Sequence, residues 1–565
     1  MGRTVAIGIQ NYDEIIKNDY FYVDKTPFIK EWWNSGDSVT LITRPRRFGK
    51  TLNISMTEQF FSLKYAGRSD LFEGKRIWKE EKFRELQGTY PVISLSFANV
   101  KEPTYQRAYK RICRILTEMY DKNDFLLDSA ILSERDKTFF KSVNEDMDEE
   151  KAAFSLHKLS DFLYRYYGKK VIILLDEYDT PMQEAYVHGY WEELVSFTRS
   201  LFNSTFKTNP NLERAIMTGI TRVSRESIFS DLNHLEVVTT TSDKYTDSFG
   251  FTEEEVFAAM DEFGYTEKER VKLWYDGFIF GDKKDIYNPW SILNYLDKGK
   301  ITSYWANTSS NSLVGKLIRE GSKNIKSDFE KLMVGEHLIT VIDEQIVYDQ
   351  LDKSEQAIWS LLVASGYLKV LSYEEYDGSD DVLEPKYELT LTNREVKSMF
   401  QKMIRSWFGG ADSDYNDFVK ALLLGDIDAM NEYMNRITLR IFSYFDTGRE
   451  PSIEEPERFY HGFVLGLLVE LQERYIITSN RESGFGRYDV MLEPLHTSDA
   501  AIILEFKVFN ARKEQNLTET VKNALAQIEE KQYAAVLEAK GITEDKIRKY
   551  GFAFEGKKVL IGCGE

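Results

Sequence analysis

The 565-residue chain contains two cysteines, Cys113 and Cys563, and six histidines. Two thiols so far apart exclude a disulfide framework and fit a reducing compartment. No close spacing of histidines and cysteines provides the ligands of a structural zinc site. No apolar run is long enough to span a bilayer, and the opening MGRTVAIGIQNYDEI lacks the basic-then-apolar pattern of a cleavable signal. These absences lead to the expectation of a cytoplasmic protein with no membrane partner. Gly/Ser-rich and Pro-rich linkers, tandem repeats and low-complexity tracts are missing too, so domain boundaries must be read from changes in hydrophobic pattern.

Hydrophobic residues make up 42% of the chain and charged residues 29%, ordinary values for a globular protein. The length exceeds what one hydrophobic core serves, and an aromatic content of 14% can fill several. A formal net charge of −19 argues against tight, indiscriminate binding to nucleic acid, which requires local positive charge to displace counterions. It leaves room for a basic groove.

From Val39 to about Val223 apolar runs alternate with longer helical stretches. The runs VTLIT (39–43), VISLSF (92–97), VIILLD (171–176) and AIMTGI (215–220) predict an α/β domain with a mostly parallel sheet. From about 250 to 440 the pattern is mainly helical. Within it EQAIWSLLVASGYLKVL, the acidic turn YDGSDD and KYELTLTN read as a helix and a β-hairpin, followed by the helix EVKSMFQKMIRSWF. A winged helix and a plain helical spacer with a hairpin both fit. A separate α/β unit begins near Glu454. The expected domains are therefore 1–285, 286–445 and 446–565.

ITRPRRFGKT (42–51) lies between an apolar strand and a helix, the setting of a phosphate-binding loop. There Lys50 would reach the β- and γ-phosphates and Thr51 would hold Mg²⁺. Arg44 stands where the pattern G-x-x-x-x-G-K-[ST] asks for glycine, and a lone G-K-T also fits a basic turn capping a helix. The run VIILLDEYD (171–179) shifts the balance. Its Asp176 is placed to hold Mg²⁺ and its Glu177 to polarise the attacking water, as at the strand ends of P-loop ATPases. A third strand offers Thr218 as a sensor of the γ-phosphate. Arg222 and Arg225 follow, as candidates to offset phosphoryl charge in cis or across a subunit interface, or as plain salt-bridge formers. An arginine acting in trans would require a homo-oligomer.

FYVDKTPFIKEWW, LITRPRRFGKTLNISM, ILLDEYDTP, TGITRVSRESIFSDLN, WYDGF and YNPWSILNYL together resemble the AAA-ATPase-like family of bacterial proteins, over roughly residues 3–300. The family's loop is similar to RPRRFGKT itself, so Arg44 is no departure from it. The resemblance implies an ATP-binding fold of the additional-strand, catalytic-glutamate type. Arg44, Pro45, Arg46, Arg47, Phe48, Gly49, Lys50 and Thr51 would be its nucleotide loop, with Asp176, Thr218 and Arg222 beside it.

The C-terminal segment reads as a helix (459–474), strands YIITS, RYDVMLE (487–493) and AIILEFKVF (501–509), a long helix around 517–539, and strands near FAF and KVLIG. This αβββαβ order is that of the restriction-endonuclease-like core. A hairpin centred near Thr497 would set Asp489 opposite Glu505, and Lys507 shares a strand face with Glu505. Two carboxylates suit Mg²⁺, and the lysine can orient or deprotonate water or offset phosphorane charge. Glu-x-Lys on a strand is commonplace, but a run as apolar as AIILEFKVF does not carry charges without a reason. SNRESGFGRYDVML, AIILEFKVF and ALAQIEEKQY resemble the PD-(D/E)xK nuclease family, with Tyr488 in place of the proline of its name. That resemblance makes Asp489, Glu505 and Lys507 the catalytic triad and Gln527 the assisting helix glutamine. Glu470 or Glu473 is a further metal-ligand candidate, and Ser483, Arg487 and His461 are candidate phosphate contacts.

The expectation is an ATP-hydrolysing, Mg²⁺-dependent nuclease acting on DNA, with the ATPase regulating the cutting. The alternatives are an NTPase switch whose nuclease-like domain only grips nucleic acid, and a mobile-element or defence protein using the same chemistry.

Overall fold

Five apolar runs form the first sheet: β1 (Val39–Thr43), β2 (Val92–Ser96), β3 (Val171–Asp176), β4 (Leu212–Gly219) and β5 (Leu235–Val238). All pair in parallel, in the order β2-β3-β4-β1-β5. Every residue of β1 and of β3 is buried, because helices cover both faces of a parallel sheet. The strand β4 separates β1 from β3, which is the additional-strand arrangement. Loops at the C-terminal ends of β1, β3 and β4 thus meet along one edge, where open α/β sheets bind ligands.

The computed structural model describes residues 3–221, 228–229, 232–305, 314–315, 317–318, 322–343, 351, 354–373, 386–408, 412–445, 464–465, 467–468, 471, 474–479, 482–483, 486–487, 489–496, 499–555 and 558–564. The chain divides into two compact units, Met1–Gly321 with Leu332–Lys397, and Ser322–Lys331 with Ser398–Glu565.

The first unit adds two small sheets to its helices. Strands β6 (Phe251–Thr252), β7 (Phe278–Phe280) and β8 (Lys283–Tyr287) pair in the order β6-β8-β7. Strands β9 (Leu338–Val341), β10 (Leu368–Tyr373) and β11 (Lys386–Leu391) form an antiparallel sheet in the order β10-β11-β9. With the helix Glu355–Ala364 between β9 and β10, this strand order is that of a winged helix. That helix, EQAIWSLLVA, buries Ala357 through Val363 and carries no lysine or arginine. The turn YDGSDD lies outside the described residues.

The second unit is built on β12 (Tyr475–Ser479), β15 (Val490–Pro494), β16 (Ala501–Val508), β17 (Ile547–Glu555) and β18 (Lys558–Cys563), in that order. A short ladder of β13 (Glu482–Ser483) and β14 (Gly486–Arg487) stands apart. Only β16 and β17 run parallel, joined by a crossover that contains the helix Leu517–Glu530. The single long helix expected over 517–539 breaks instead: Gln532 takes a left-handed φ of 53°, and a short helix resumes at Ala535–Glu538. The expected helix 459–474 lies mostly outside the described residues. Among the described residues no helix is long and apolar enough to cross a membrane.

The helix Leu517–Glu530 lies close on β17 and β18 because glycines face it. A Cβ on Gly551 would stand 2.9 Å from the Val521 carbonyl oxygen, and one on Gly562 would stand 2.7 Å from Val521 Cγ1. These two glycines pair across β17 and β18. Gly551→Val is expected to push the helix outward at a cost of about 1–3 kcal/mol. Thermal unfolding should show a midpoint lowered by several degrees; an unchanged midpoint would contradict the close approach.

Candidate functional site

Beyond Thr43 the chain turns through Arg44–Gly49 into the helix Lys50–Phe61. Gly49 has a left-handed φ of 81°, and no side chain caps the helix, so its first-turn N–H groups face an anion-ready space. Lys50 is 6% exposed and donates to the carbonyls of Arg44 (2.8 Å) and Pro45 (2.9 Å). Burial holds its ammonium below the usual lysine range, against the pull of Glu177 and Asp176. Thr51 Oγ1 donates to one oxygen of Asp176 at 2.7 Å, and Thr218 Oγ1 donates to the other at 2.5 Å. Burial pushes the Asp176 carboxyl up, and these two hydroxyls pull it down. Glu177 follows with a left-handed φ of 50°; its N–H donates to Thr218 Oγ1 at 3.3 Å and its carboxylate accepts from Thr180. Lys50, Thr51, Asp176, Glu177 and Thr218 therefore converge at one sheet edge.

The remaining loop residues face other ways. The Arg44 side chain turns inward, fully buried, and donates to the carbonyls of Thr43, Thr239 and Lys244 while its guanidinium lies 4.5 Å from the Phe280 ring. Burial pushes it down to about 9. Phe48 packs edge-on against Phe278 and Phe280, and Pro45 lies against Gly366. Arg46 donates to Gln183, and Arg47, with φ 66°, stacks 4.3 Å over Trp290. The Arg46 carbonyl accepts from Asn288 Nδ2 (3.3 Å) and Trp305 Nε1 (3.0 Å). Asn288 also caps the helix Pro289–Lys298, so the YNPW motif clamps the loop from outside. Arg222 and Arg225 lie outside the described residues.

Several residues of this centre were not singled out from sequence. Asp179 is buried, and one of its oxygens accepts from the N–H groups of Ile220 and Thr221 and from the Thr221 hydroxyl. It fixes the end of β4 against β3; a Cβ on Gly219 would collide with it and with Tyr178. A cavity of about 390 Å³ adjoins Thr51 and Asp176 and is also lined by Ser96, Asn99 and Arg111. Ser96 pairs with Asp176 in register, a strand-end polar residue that the pattern of β2 could have flagged. Arg111 lies within the long helix Tyr105–Asp121 and has no local signature.

The second centre sits on β15 and β16. Their register, Val490 to Leu504 and Leu492 to Ile502, continues by one residue to set Asp489 opposite Glu505, the geometry expected from the hairpin. Asp489 accepts from the Phe506 N–H at 2.7 Å. Glu505 is 2% exposed; one of its oxygens accepts from Gln527 Nε2, and the Gln527 Oε1 accepts from Lys507 Nζ at 2.6 Å. Gln527 also donates to the Tyr533 hydroxyl at 3.1 Å, a partner with no sequence signal because it lies beyond the helix end. Burial, eased by the Phe506 N–H and by Lys507, pushes the Asp489 carboxyl up to about 6. Arg487 and Ser483 lie in the β13–β14 ladder, their side chains outside the described residues, as are His461, Glu470 and Glu473.

Among the described residues no group of three or more His, Cys, Asp or Glu is gathered to hold a metal. Two carboxylates, Asp489 and Glu505, form a hard oxygen donor set that leaves positions for water. That suits Mg²⁺ and does not suit zinc. At the first centre Thr51 and Asp176 would share such an ion with the nucleotide phosphates.

The two centres define a chain that joins a P-loop, additional-strand sheet to a restriction-endonuclease-like core. Comparison with known proteins agrees. Residues 6–229 match the family model described as Predicted AAA-ATPase, and residues 455–563 match that of the PD-(D/E)XK nuclease superfamily. The chain carries both domains. It is also similar to a protein of Azotobacter chroococcum mcd 1 described as an uncharacterized protein in the vnfD 5' region, 25% identical over 405 residues, which cover 71% of this chain and 70% of that protein.

Because burial favours the neutral form of Asp489, the carboxylate is lost as pH falls through about 6. Mg²⁺ affinity of the second centre is expected to fall with it between pH 7.5 and 5.5, and Asp489→Asn should leave little Mg²⁺ binding there at any pH. The same substitution removes a charge that the native state disfavours above pH 6, so it should raise stability at pH 7.5. Calorimetric Mg²⁺ titration and thermal unfolding at both pH values check the pair. A pH-independent affinity would contradict it.

Proposed function

We propose that the chain binds and hydrolyses ATP at its N-terminal centre and uses its C-terminal centre as a Mg²⁺-dependent nuclease on DNA, with nucleotide state regulating the cutting. The observation that carries the nuclease reading is the chain Glu505–Gln527–Lys507, which holds a carboxylate and an ammonium at fixed separation beside Asp489.

At the N-terminal centre Lys50 exchanges its two loop carbonyls for the β- and γ-phosphates, and the uncapped N–H groups of its helix accept the remaining charge. Thr218, hydrogen-bonded to Asp176, reports on the γ-phosphate position. Glu177 orients the attacking water. At the C-terminal centre Asp489 and Glu505 would hold Mg²⁺, which supplies charge neutralisation for the phosphodiester and lowers the pKa of bound water. Gln527 keeps Lys507 extended toward the same spot. Lys507 orients the attacking water and offsets charge on the pentacovalent phosphorus. The formal charge of −19 fits cutting that depends on capture of a particular DNA form in a local groove and not on general affinity.

Lys50→Ala is expected to weaken ATP binding by at least ~100-fold, since it removes the charge-assisted contact to the phosphates. Lys507→Ala should lower Mg²⁺-dependent cleavage by roughly 10²–10³-fold and leave the fold intact. Purified chain with single-stranded, duplex and branched DNA, and with RNA, with and without ATP and Mg²⁺, checks both variants. Undiminished cleavage by Lys507→Ala, or unaltered nucleotide affinity in Lys50→Ala, would overturn the corresponding half.

A further inference from the structure

A second cavity, of about 450 Å³, opens in the first unit between the segment Lys272–Gly277, the strands β10 and β11, and the first turn of the helix Arg394–Phe408. Besides Lys272, three cations line it: Lys369 on β10, and Arg394 and Lys397 on the helix. Their placement is unfavourable in three separate ways. Lys369 and Lys397 are half-buried, and burial holds both ammonium groups below the usual lysine range. Arg394 and Lys397 stand one turn apart with like charge, and Arg394 is among the influences that lower Lys397. Both occupy the positive end of a 15-residue helix, where anions are stabilised and cations are not.

Counter-charge is scarce. Among the described residues none of the three cations makes an ion pair or a side-chain hydrogen bond. Glu395, the one acid of that first turn, is buried and spent on the Ser291 hydroxyl and the N–H groups of Tyr304 and Trp305. Lys272 already pairs with Glu253 at 2.5 Å and Asp285 at 3.4 Å. Asp276, beside Lys369, is pushed up to about 7 by burial and by Asp285, so it supplies only part of a charge at neutral pH. The floor is shaped by Gly277, with φ 126°, where a Cβ would stand 2.1 Å from the Thr392 carbonyl oxygen and 3.2 Å from Lys369 Nζ. Leu273, Leu332 and Leu391 add apolar wall.

We propose that this cavity binds a compact phosphorylated ligand, a nucleotide or a smaller phosphate ester, at a site separate from the loop at Lys50. An anion there offsets the like-charge repulsion, is stabilised at the positive end of the helix and repays the burial of the lysines. The volume fits a nucleotide-sized molecule, and the leucines offer a face for its apolar part. A ligand gripping the segment after the helix Lys268–Tyr275 and the β10–β11 sheet together holds the clamp side of the first unit in one arrangement.

Pyrophosphate titrated calorimetrically into the full chain carrying Lys50→Ala tests this site without the loop's own phosphate ligand. One saturable site is expected, weakened about tenfold by Lys397→Gln and further by Lys369→Ala with Lys397→Gln. Lys397→Arg should restore most of the affinity and guards against a loss caused by misfolding. Absence of saturable binding, or equal affinity in the double variant, would overturn the proposal. Displacement of pyrophosphate by a short DNA duplex would overturn the compact ligand in favour of a polynucleotide backbone.

Discussion

The carboxylate of Asp176 joins three segments that are far apart in sequence. One oxygen accepts from Thr51 at the start of the loop helix, the other from Thr218 on β4, and the residue itself ends β3. A buried carboxylate is costly unless its hydrogen bonds are met, so this contact fixes the relative height of β1, β3 and β4. Lys50 is satisfied in the same way, by its own loop carbonyls. Each group that would meet nucleotide or metal already holds a protein partner of modest strength. Ligand binding is then an exchange of hydrogen bonds and needs no assembly of the site.

The second centre follows the same rule with different parts. Gln527 bonds one oxygen of Glu505 and the Lys507 ammonium at once, and the Phe506 N–H serves Asp489. Gln527 reaches them because Gly551 and Gly562 let its helix lie close to the sheet. The geometry of this centre thus depends on residues with no side chain at all.

The sequence made the strands plain where burial is complete on both faces: VTLIT and VIILLD are strands over their whole length. The pairing of Asp489 with Glu505 was legible too, because side-chain period and turn centre fix a hairpin register. What was hidden depends on long-range contact. Arg44 reads as a loop cation facing phosphate, yet its side chain is drawn inward by the carbonyls of Thr239 and Lys244, about two hundred residues away in sequence. The strand β9 gave no warning that it would join β11, and the short hairpin of β7 and β8 is too brief for periodicity to reveal. Asp179 and Arg111 have no local signature, since their partners and cavity exist only once the sheet is built. The YNPW motif was visible as a resemblance; the clamp that its Asn288 forms with the distant Trp305 on the Arg46 carbonyl was not.

The account turns on the first centre being poised to exchange its internal bonds for nucleotide. A crystal structure with a non-hydrolysable ATP analogue and Mg²⁺ tests it most directly. It predicts that Lys50 leaves the Arg44 and Pro45 carbonyls for the phosphates, and that Thr51 and Asp176 part to admit the metal while Thr218 stays on β4 beside it. An analogue bound elsewhere, or the Lys50 and Thr51 contacts kept intact with nucleotide present, would contradict it.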